Sequence, residues 1–330
     1  MFSPKYAITN KLLGNIRKID GLIIQLNNRQ FSGVVVAEFK KTAREVSAHT
    51  STSIEGNPLP LTEVKRILKF CPLHIRDTER EVLNYNKALL SLNKNPDFSL
   101  NLILDIQKQV VNELLPRYET GRLRNKPVVV NDSRSGQIVY IPPNQSDVPN
   151  LMRDLVNYVN ESKIDPLILA GIFHKQCVII HPFMDGNGRT TRLATKVLLA
   201  KIKLDTFNLF SFENYYNRNV TKYFQTVGEY GDYYELVDKI DFTQWLEYFT
   251  DGLIDELLRV TNLLPQSHLL PHLQQIVDFV NQNGRIADRD YAKLTDRARA
   301  TRALDFKKLL SLKLIKRFGK GKATYYSPIV

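Results

Sequence analysis

Cysteine is scarce in this sequence, and its scarcity argues against a fold held by disulfides. The chain has 330 residues and two cysteines, Cys71 and Cys177. One pair cannot form the disulfide framework on which small secreted domains depend. Cys177 lies in an apolar run, which favours a small buried hydrophobic side chain over a catalytic thiol. This cysteine usage predicts a reducing compartment, and therefore a cytoplasmic protein.

Long apolar runs are also missing. No stretch approaches the roughly 20 apolar residues that a membrane-spanning helix needs, and residues 1–10 lack the apolar core of a signal peptide. The apolar fraction of 43% is ordinary for a soluble globular protein. The length suffices for two or three domains. We therefore predict no membrane partner.

Residues 181–192 carry more chemistry than any other segment. They read His-Pro-Phe-Met-Asp-Gly-Asn-Gly-Arg-Thr-Thr-Arg. The apolar run 167–180 precedes them, and apolar residues at helical spacing follow, which predicts a loop that leads into the N-terminus of a helix. Two glycines let the backbone approach a ligand closely, and a helix N-terminus attracts anions. The segment is therefore suited to a polyphosphate.

The side chains of this segment point to phosphorus chemistry. Arg189 and Arg192 lie three residues apart on one helix face, and their guanidinium groups match phosphate oxygens. Asp185 is a hard oxygen ligand of the kind that Mg²⁺ prefers when phosphates supply other ligands. His181 can accept a proton near neutral pH. A base beside a magnesium–phosphate site predicts attack of a hydroxyl on phosphorus, with Phe183 as a core anchor for the loop.

The segment matches the signature of the Fic family, His-x-Phe-x-Asp/Glu-Gly-Asn-Gly-Arg-x-x-Arg, at every specified position. Fic proteins mostly transfer AMP from ATP to a Ser, Thr or Tyr hydroxyl of a protein and release pyrophosphate. The resemblance implies that His181 deprotonates the target hydroxyl and that Asp185 holds Mg²⁺ between the α- and β-phosphates. The phosphate-binding residues that it implies are Gly186, Asn187, Gly188, Arg189 and Arg192. The first of these arginines would hold the β-phosphate and the second the γ-phosphate.

A second motif, residues 51–57, follows a helix-compatible run, residues 34–49. Ser51 and Glu55 lie one turn apart on one helix face, and Gly56 suits the left-handed position after a helix end. Spacing alone equally allows an ordinary helix end with a solvated glutamate. The residues resemble the Fic inhibitory motif, Ser/Thr-x-x-x-Glu-Gly/Asn.

This second resemblance implies that Glu55 pairs with Arg192, occupies the γ-phosphate position and keeps activity low. In some Fic proteins the same glutamate positions a water that hydrolyses AMP–protein linkages. The sequence leaves both roles of Glu55 open, inhibition of transfer and hydrolysis of the linkage.

Residues 121–143 contain two β-branched runs around a polar turn, residues 131–136, which predicts a short β-hairpin. Such an edge could pair with an extended peptide. By resemblance this hairpin is the Fic flap, with Val139, Tyr140 and Ile141 docking the target. Aromatic residues after the signature are typical of a core, but the resemblance aligns Tyr223 and Phe224 with the residues that border the adenine.

The predicted fold is mainly α, a Fic-type helical core with a small β-hairpin flap and a C-terminal winged helix-turn-helix domain. The predicted domains are residues 1–100, which carry the inhibitory motif, the catalytic core 101–262 and the winged helix 263–330. The last domain has 13 Lys or Arg and 5 Asp or Glu, a net charge of +8 within a chain of +12. Three helical runs and a hairpin around Gly-Lys-Gly predict the winged helix, with Leu304 on the apolar face of its third helix.

The leading functional prediction is an autoinhibited AMP transferase that uses ATP and Mg²⁺ on a target protein or on itself. Transfer of another nucleotide and AMP removal by hydrolysis stay open. The basic domain suggests contacts to a nucleic-acid backbone, so a DNA-binding regulator with a nucleotide-sensing core is a competing class. A protein-docking or dimerisation role for this domain is the alternative, and homo-oligomerisation is left open.

Overall fold

Two compact units make up the chain, which we describe from a computed structural model. The described residues are 2–27, 33–70, 74–92, 97–132, 136–202, 211–263, 270–312 and 314–328. The first unit contains Met1–Asn27 and Lys40–Thr261, and the second contains Asn28–Phe39 and Asn262–Val330. Most of the predicted N-terminal region thus shares one unit with the predicted catalytic core, because its helices pack directly on that core.

The first unit is mainly helical, as the sequence predicted. In chain order, the helices up to residue 263 are α1 (Asn10–Asn27), α2 (Gly33–Ile54), α3 (Leu61–Phe70), α4 (Asp77–Ser91), α5 (Leu100–Val110), α6 (Val148–Glu161), α7 (Pro166–Ile180), α8 (Asn187–Leu199), α9 (Glu213–Arg218), α10 (Val220–Val227), α11 (Tyr233–Leu236) and α12 (Thr243–Leu263). A single 3₁₀ turn, Ala200–Ile202, extends α8. The helix α12 is capped by Asp241, whose carboxylate accepts from the backbone N–H of Thr243 at 2.7 Å.

The helices α7 and α8 form the centre of this unit and pack against each other. Pro166 opens α7, where its missing N–H is no loss, and the Asp165 carboxylate accepts from the backbone N–H of Leu167 at 2.8 Å. Almost every residue of α7 and α8 is buried. A helix enclosed on all sides must be apolar or fully paired, so the polar residues of α8 need partners from neighbouring helices.

The predicted hairpin is present and belongs to a three-stranded sheet. Strand β1 (Val130–Asn131) pairs antiparallel with β2 (Ile138–Ile141), and β2 pairs in parallel with β3 (Gly231–Asp232). The turn residues 133–135 lie outside the described residues. The sequence did not predict β3, because two residues are too few to show strand alternation.

The central position of β2 changes the interpretation of Tyr140. Its backbone is flanked by strands on both sides, its side chain is 4% exposed, and its hydroxyl donates to the carbonyl of Ile179 at 2.9 Å. The structure therefore places this side chain in the core, where it cannot dock a target as predicted. Val139 is half-buried, whereas Ile138 and Ile141 are exposed, so those isoleucines form the accessible face.

From residue 271 onward, the second unit has the predicted order of elements. They are α13 (Pro271–Asn283), α14 (Asp288–Tyr291), α15 (Arg299–Ser311), β4 (Ile315–Phe318) and β5 (Tyr325–Pro328), with β4 and β5 antiparallel. Phe306 and Leu309 of α15 are buried in its core. Leu304 was predicted on the same apolar face but is 63% exposed, because residues two apart lie on opposite sides of a helix.

Cys177 is fully buried, and its sulfur accepts from the Thr191 hydroxyl at 3.2 Å. Burial raises the pKa of the Cys177 thiol to about 12, so the group stays protonated and structural, as predicted. Cys71 lies outside the described residues. Within the described part of the chain, no helix is both long and apolar enough to cross a membrane.

Candidate active site

The signature loop begins at a strained residue. His181 ends α7 with φ 51°, in the left-handed region, and its N–H donates to the carbonyl of Cys177 at 3.1 Å. A non-glycine residue in this region costs about 1–3 kcal/mol and persists only where its surroundings enforce it. The backbone at the candidate base is therefore held by its contacts rather than by its own preference.

Asn187 shapes the loop. Its amide oxygen accepts from the N–H of Phe183, and its amide nitrogen donates to the carbonyl of Phe183, both at 2.9 Å. Both ends of the side-chain amide are thus occupied in fixing the turn, and the predicted phosphate cradle formed by the backbone of residues 186–188 stays a prediction. Phe183 is fully buried, as expected of the anchor that pins the loop to the core.

Gly186 and Gly188 are required for different reasons. Gly186 has φ 79°, and a Cβ there would lie 2.8 Å from a Val111 methyl group. A Cβ on Gly188 would lie 2.0 Å from Glu55 Oε1 and 2.9 Å from Arg192 Nη1. The absent side chain of Gly188 therefore provides the room at the start of α8 in which the Glu55 carboxylate lies.

Arg192 is fully buried and is held by the end of α2. Its Nη2 donates to Glu55 Oε1 at 2.7 Å and to the Ser51 carbonyl at 2.8 Å, and its Nε donates to Ser51 Oγ at 2.8 Å. Gly56 follows with φ 94° and terminates the helix, as predicted. Burial opposes the charge of Arg192, but Glu55 keeps the arginine pKa above its ordinary value. The ion pair expected from the sequence is present.

Arg189 pairs with the acidic residue of the loop. Its Nη2 lies 3.0 Å from both carboxylate oxygens of Asp185, and its Nη1 lies 3.5 Å from Glu81 Oε1. Within the described residues, Nε of Arg189 and Nη1 of Arg192 are buried and have no hydrogen-bond acceptor, and Nη1 of Arg189 has the ionic contact with Glu81 but no hydrogen bond. Buried donors without acceptors are costly, so these groups favour an anion as ligand.

The candidate base His181 is neutral in this environment. Burial lowers the pKa of His181 to about 4, and the charge of Arg124 acts in the same direction. The carboxylates of Glu55 and Asp185 and the carbonyl of Val178 oppose this shift without overcoming it. At pH 7 the imidazole is unprotonated and able to accept a proton.

The family model that describes the Fic/DOC family matches residues 97–199. The chain therefore carries a Fic domain. The matched residues extend from just before α5 to the end of α8, so they contain the whole signature loop but not Glu55.

Curated relatives of the Fic domain include animal proteins. The protein adenylyltransferase fic-1 of Caenorhabditis elegans is 30% identical over 207 residues, which cover 59% of this chain and 38% of the relative. The protein adenylyltransferase Fic of Drosophila virilis is 25% identical over 273 residues, 74% of this chain and 52% of the relative. The chain thus spans about two fifths to half of the length of these relatives.

Solved structures show that the fold likeness extends beyond the Fic domain. The crystal structure of a Fic family protein from Desulfovibrio desulfuricans G20 has a TM-score of 0.70 and 20% identity, and covers 99% of this chain and 98% of that one. A fragment of Fic-1 from Caenorhabditis elegans has a TM-score of 0.61 and 21% identity, and covers 78% and 73%. The mainly helical fold is therefore one that Fic proteins share.

The two residues predicted to border the adenine of ATP differ in burial. Tyr223 is 1% exposed, its hydroxyl lies 3.0 Å from His174 Nε2, and its ring stacks on Tyr216 at 4.9 Å between centroids. This places Tyr223 in the aromatic core instead of on a base-binding surface. Phe224 is 42% exposed and remains a prediction for the adenine contact.

Asp185 is suited to a magnesium ion that takes its other ligands from phosphates. Its side chain is 46% exposed. Among the described residues, no group of three or more His, Cys, Asp or Glu is placed to hold a metal. Asp185 would hold such an ion as one protein ligand, with the phosphate oxygens and water that Mg²⁺ commonly keeps as its others.

Sequence reasoning missed a buried ion pair beside this site. Lys196 Nζ lies 3.1 Å from Glu213 Oε2, with the side chains 2% and 0% exposed. Glu213 also accepts from the hydroxyls of Tyr85 at 2.7 Å and Ser211 at 2.8 Å. Burial opposes ionisation of Glu213, yet the charge of Lys196 and these hydrogen bonds lower its pKa. The only signal was the position of Lys196, one turn after Arg192 on α8.

Replacing Lys196 with methionine is expected to destabilise the protein by about 3–5 kcal/mol, because the change leaves the Glu213 carboxylate buried without its cation. Urea unfolding at neutral pH measures the loss, with Lys65→Met, at an exposed position of α3, as the matched control. Adding Glu213→Gln should restore part of the loss. A loss in Lys196→Met no larger than in the control would contradict the assignment of this pair.

Proposed function

We propose that the protein transfers AMP from ATP to a hydroxyl side chain of a target protein or of itself and releases pyrophosphate. The observation that carries this proposal is the combination, in one loop and helix start, of a neutral His181 with buried guanidinium donors that lack acceptors. The names of the curated relatives, protein adenylyltransferases, support it.

The chemistry follows from the positions of these groups. His181 takes the proton of the target hydroxyl while the hydroxyl oxygen forms a bond to the α-phosphorus of ATP. The bond between the α-phosphorus and the oxygen that bridges to the β-phosphorus breaks. Pyrophosphate leaves with the bonding electrons. Arg189 and Arg192 stabilise the charge on the phosphates, which is the main task in phosphoryl-type transfer. Magnesium held by Asp185 would neutralise further phosphate charge when bound.

Inhibition by the chain itself is part of the proposal. The Glu55 carboxylate engages Arg192 and lies where a side chain on Gly188 would be. A γ-phosphate approaching Arg192 meets a negative charge there, and like charges at close range repel. We infer that the wild-type protein transfers AMP slowly until Glu55 is withdrawn.

The position of the radioactive label in ATP tests the transferred group. With Glu55→Gly protein, ATP labelled at the α-phosphate should label protein and ATP labelled at the γ-phosphate should not. Adding a cell lysate supplies targets if self-labelling is weak. Label from the γ-position would show a kinase-type transfer, and absence of both labels, with ATP bound, would contradict nucleotide transfer from ATP.

The rate of transfer is expected to fall only at low pH. Because the pKa of His181 is lowered to about 4, the ring stays in its proton-accepting form throughout the neutral range. We expect initial rates of Glu55→Gly protein to be constant from about pH 6 to about pH 8 and to fall below about pH 5. An acid limb with a midpoint near the ordinary histidine pKa of about 6.5 would contradict the burial argument.

Hydrolysis of AMP–protein linkages is a second candidate function. It is favoured by the position of Glu55 Oε1 beside Gly188. A carboxylate at the phosphate site can orient a water and accept its proton. Protein labelled by Glu55→Gly enzyme, then purified and incubated with wild type, tests this. Loss of label with wild type but not with Glu55→Gln would support hydrolysis, and equal retention would exclude it.

For the second unit we propose contact with a nucleic-acid backbone through the exposed face of α15. Arg299, Lys307 and Lys308 are exposed there, whereas Arg302 is bound by Asp288 at 2.9 Å and 3.0 Å. Free cations bind phosphates by releasing counterions, so binding should weaken steeply with salt.

A salt titration of duplex DNA binding measures this contact. Lys307→Ala with Lys308→Ala should reduce the slope of log affinity against log salt by about 2. The control Lys65→Ala with Lys87→Ala removes the same charge at exposed sites in the first unit. An equal effect of both double variants would reject a specific basic face.

A further inference from the structure

Arg124 is a buried arginine whose charge is not paired with a carboxylate among the described residues. It is 3% exposed. Its Nε donates to the carbonyl of His181 at 2.8 Å, Nη1 donates to that of Lys126 at 3.2 Å, and Nη2 donates to those of Pro143 at 2.5 Å and Ile180 at 3.5 Å. A buried charge is costly unless hydrogen-bonded, and within the described part of the chain the acceptors of this guanidinium are all backbone carbonyls.

The acceptors belong to two separate parts of the site. The carbonyls of residues 180 and 181 are the end of α7 and the first residue of the signature loop. Lys126 precedes strand β1 and Pro143 follows strand β2, so their carbonyls lie at the two ends of the hairpin segment. One guanidinium thus connects the backbone of the candidate base to both ends of the hairpin.

Backbone and neighbouring contacts strengthen this connection. The N–H of Arg124 donates to the carbonyl of Pro182 at 2.9 Å. The fully buried Gln107 accepts from the N–H of Gly121 at 2.6 Å, and its amide lies 3.3 Å from the carbonyl of Asp185. Residues 121–124 are therefore held to the signature loop directly at Pro182 and through Gln107 at Asp185.

The contacts also explain how His181 keeps its left-handed backbone. A strained dihedral persists only where the surroundings fix it. The carbonyls of residues 180 and 181 accept from the Arg124 guanidinium, whereas that of residue 182 accepts from the backbone N–H of the same residue. Replacing the side chain would therefore remove the donors of the first two carbonyls together and keep the third bond. The loop would then be free to relax away from the hairpin, whose exposed Ile138 and Ile141 form its accessible face.

We propose that Arg124 is a positioning residue that fixes the separation between the base His181 and the hairpin, so that a hydroxyl presented along the hairpin meets the imidazole. The inference rests on the proposed transfer reaction. Arg124 would affect the rate through the distance between the reacting groups, since a displacement of about 1 Å can cost about 100-fold in rate. Arginine suits this task because its planar fork donates in several fixed directions, which a compact ammonium group cannot do.

The test compares Arg124→Gln with Arg122→Gln, both in the Glu55→Gly background. Arg122 lies two residues away and is exposed, so its replacement removes the same charge from the same segment. We expect Arg124→Gln to lower kcat by about 100-fold with the KM for ATP changed less than about twofold, since the phosphate-binding residues of α8 are untouched. The Arg122→Gln protein should keep both constants.

Hydrogen exchange of backbone amides provides a readout that does not depend on catalysis. Arg124→Gln should speed exchange in peptides covering residues 178–186 and residues 126–145 together, and leave α5 and α12 unchanged. Arg124→Lys, a more conservative change, should fall between glutamine and arginine in both measurements, and it serves as the test variant if the glutamine protein does not fold.

Three results would overturn the proposal. The first is a kcat of Arg124→Gln within about threefold of that of Arg122→Gln, since misplacement is expected to cost about 100-fold. The second is faster hydrogen exchange over the whole first unit. The third is full activity of Arg124→Lys. If the Glu55→Gly parent itself transfers no AMP, the proposed function fails, and the exchange data alone then decide whether Arg124 couples the loop to the hairpin.

Discussion

Replacing Glu55 with glycine is expected to raise the rate of AMP transfer by roughly 10- to 150-fold. The change removes the acceptor that holds Arg192 Nη2 at 2.7 Å and clears the space against Gly188. A hydrogen bond from a charged donor contributes about 1.5–3 kcal/mol, and about 1.4 kcal/mol corresponds to a tenfold change in rate. The gain arises if Arg192 exchanges the carboxylate for the γ-phosphate.

The initial rate of label incorporation from α-labelled ATP measures this effect. Glu55→Gln keeps the size of the side chain and removes its charge, so we expect an intermediate rate that separates repulsion from obstruction. Glu161→Gly, at the exposed last residue of α6, is the control for loss of a surface glutamate. An unchanged transfer rate in Glu55→Gly, with ATP bound as tightly as in wild type, would contradict the proposed inhibition by Glu55.

The parts of the site that could be predicted from the sequence are those fixed by short-range geometry. His181 and Arg192 are eleven residues apart, and a loop followed by a helix leaves few ways to place them. Gly56 occupies a left-handed position, which the sequence indicated through glycine at a helix end. Gly186 also has a left-handed backbone, which glycine adopts readily. The ion pair between Glu55 and Arg192 needed the family resemblance, because no local pattern connects residues 137 apart.

The parts that could not be predicted depend on long-range partners. Arg124 is one of several arginines in its segment, and only the fold shows that it is buried among carbonyls. Glu213 finds Tyr85 across 128 residues of sequence. Tyr223 is the reverse case, a functional residue predicted where the structure has a core residue. The family resemblance aligned it with the adenine, whereas its hydroxyl lies beside His174 in the core.

Replacing His181 with alanine in the Glu55→Gly protein is expected to lower the transfer rate by about 10²–10⁴-fold, because a positioned general base contributes that much. ATP affinity should be unchanged, since Arg189 and Arg192 keep their places on α8. His74→Ala, at an exposed position before α4, is the control for loss of an imidazole. Transfer that stays within a few-fold of the Glu55→Gly parent would mean that the hydroxyl is activated by another group.

Alanine alone cannot separate loss of the base from loss of the loop conformation, because His181 has φ 51° and alanine disfavours that region. Asparagine resolves this, since it tolerates the left-handed conformation better than most residues and cannot act as a base near neutral pH. If the imidazole is the base, His181→Asn and His181→Ala lose transfer equally. If asparagine retains the rate that alanine loses, the backbone conformation is what His181 contributes, and the role of base must be reassigned.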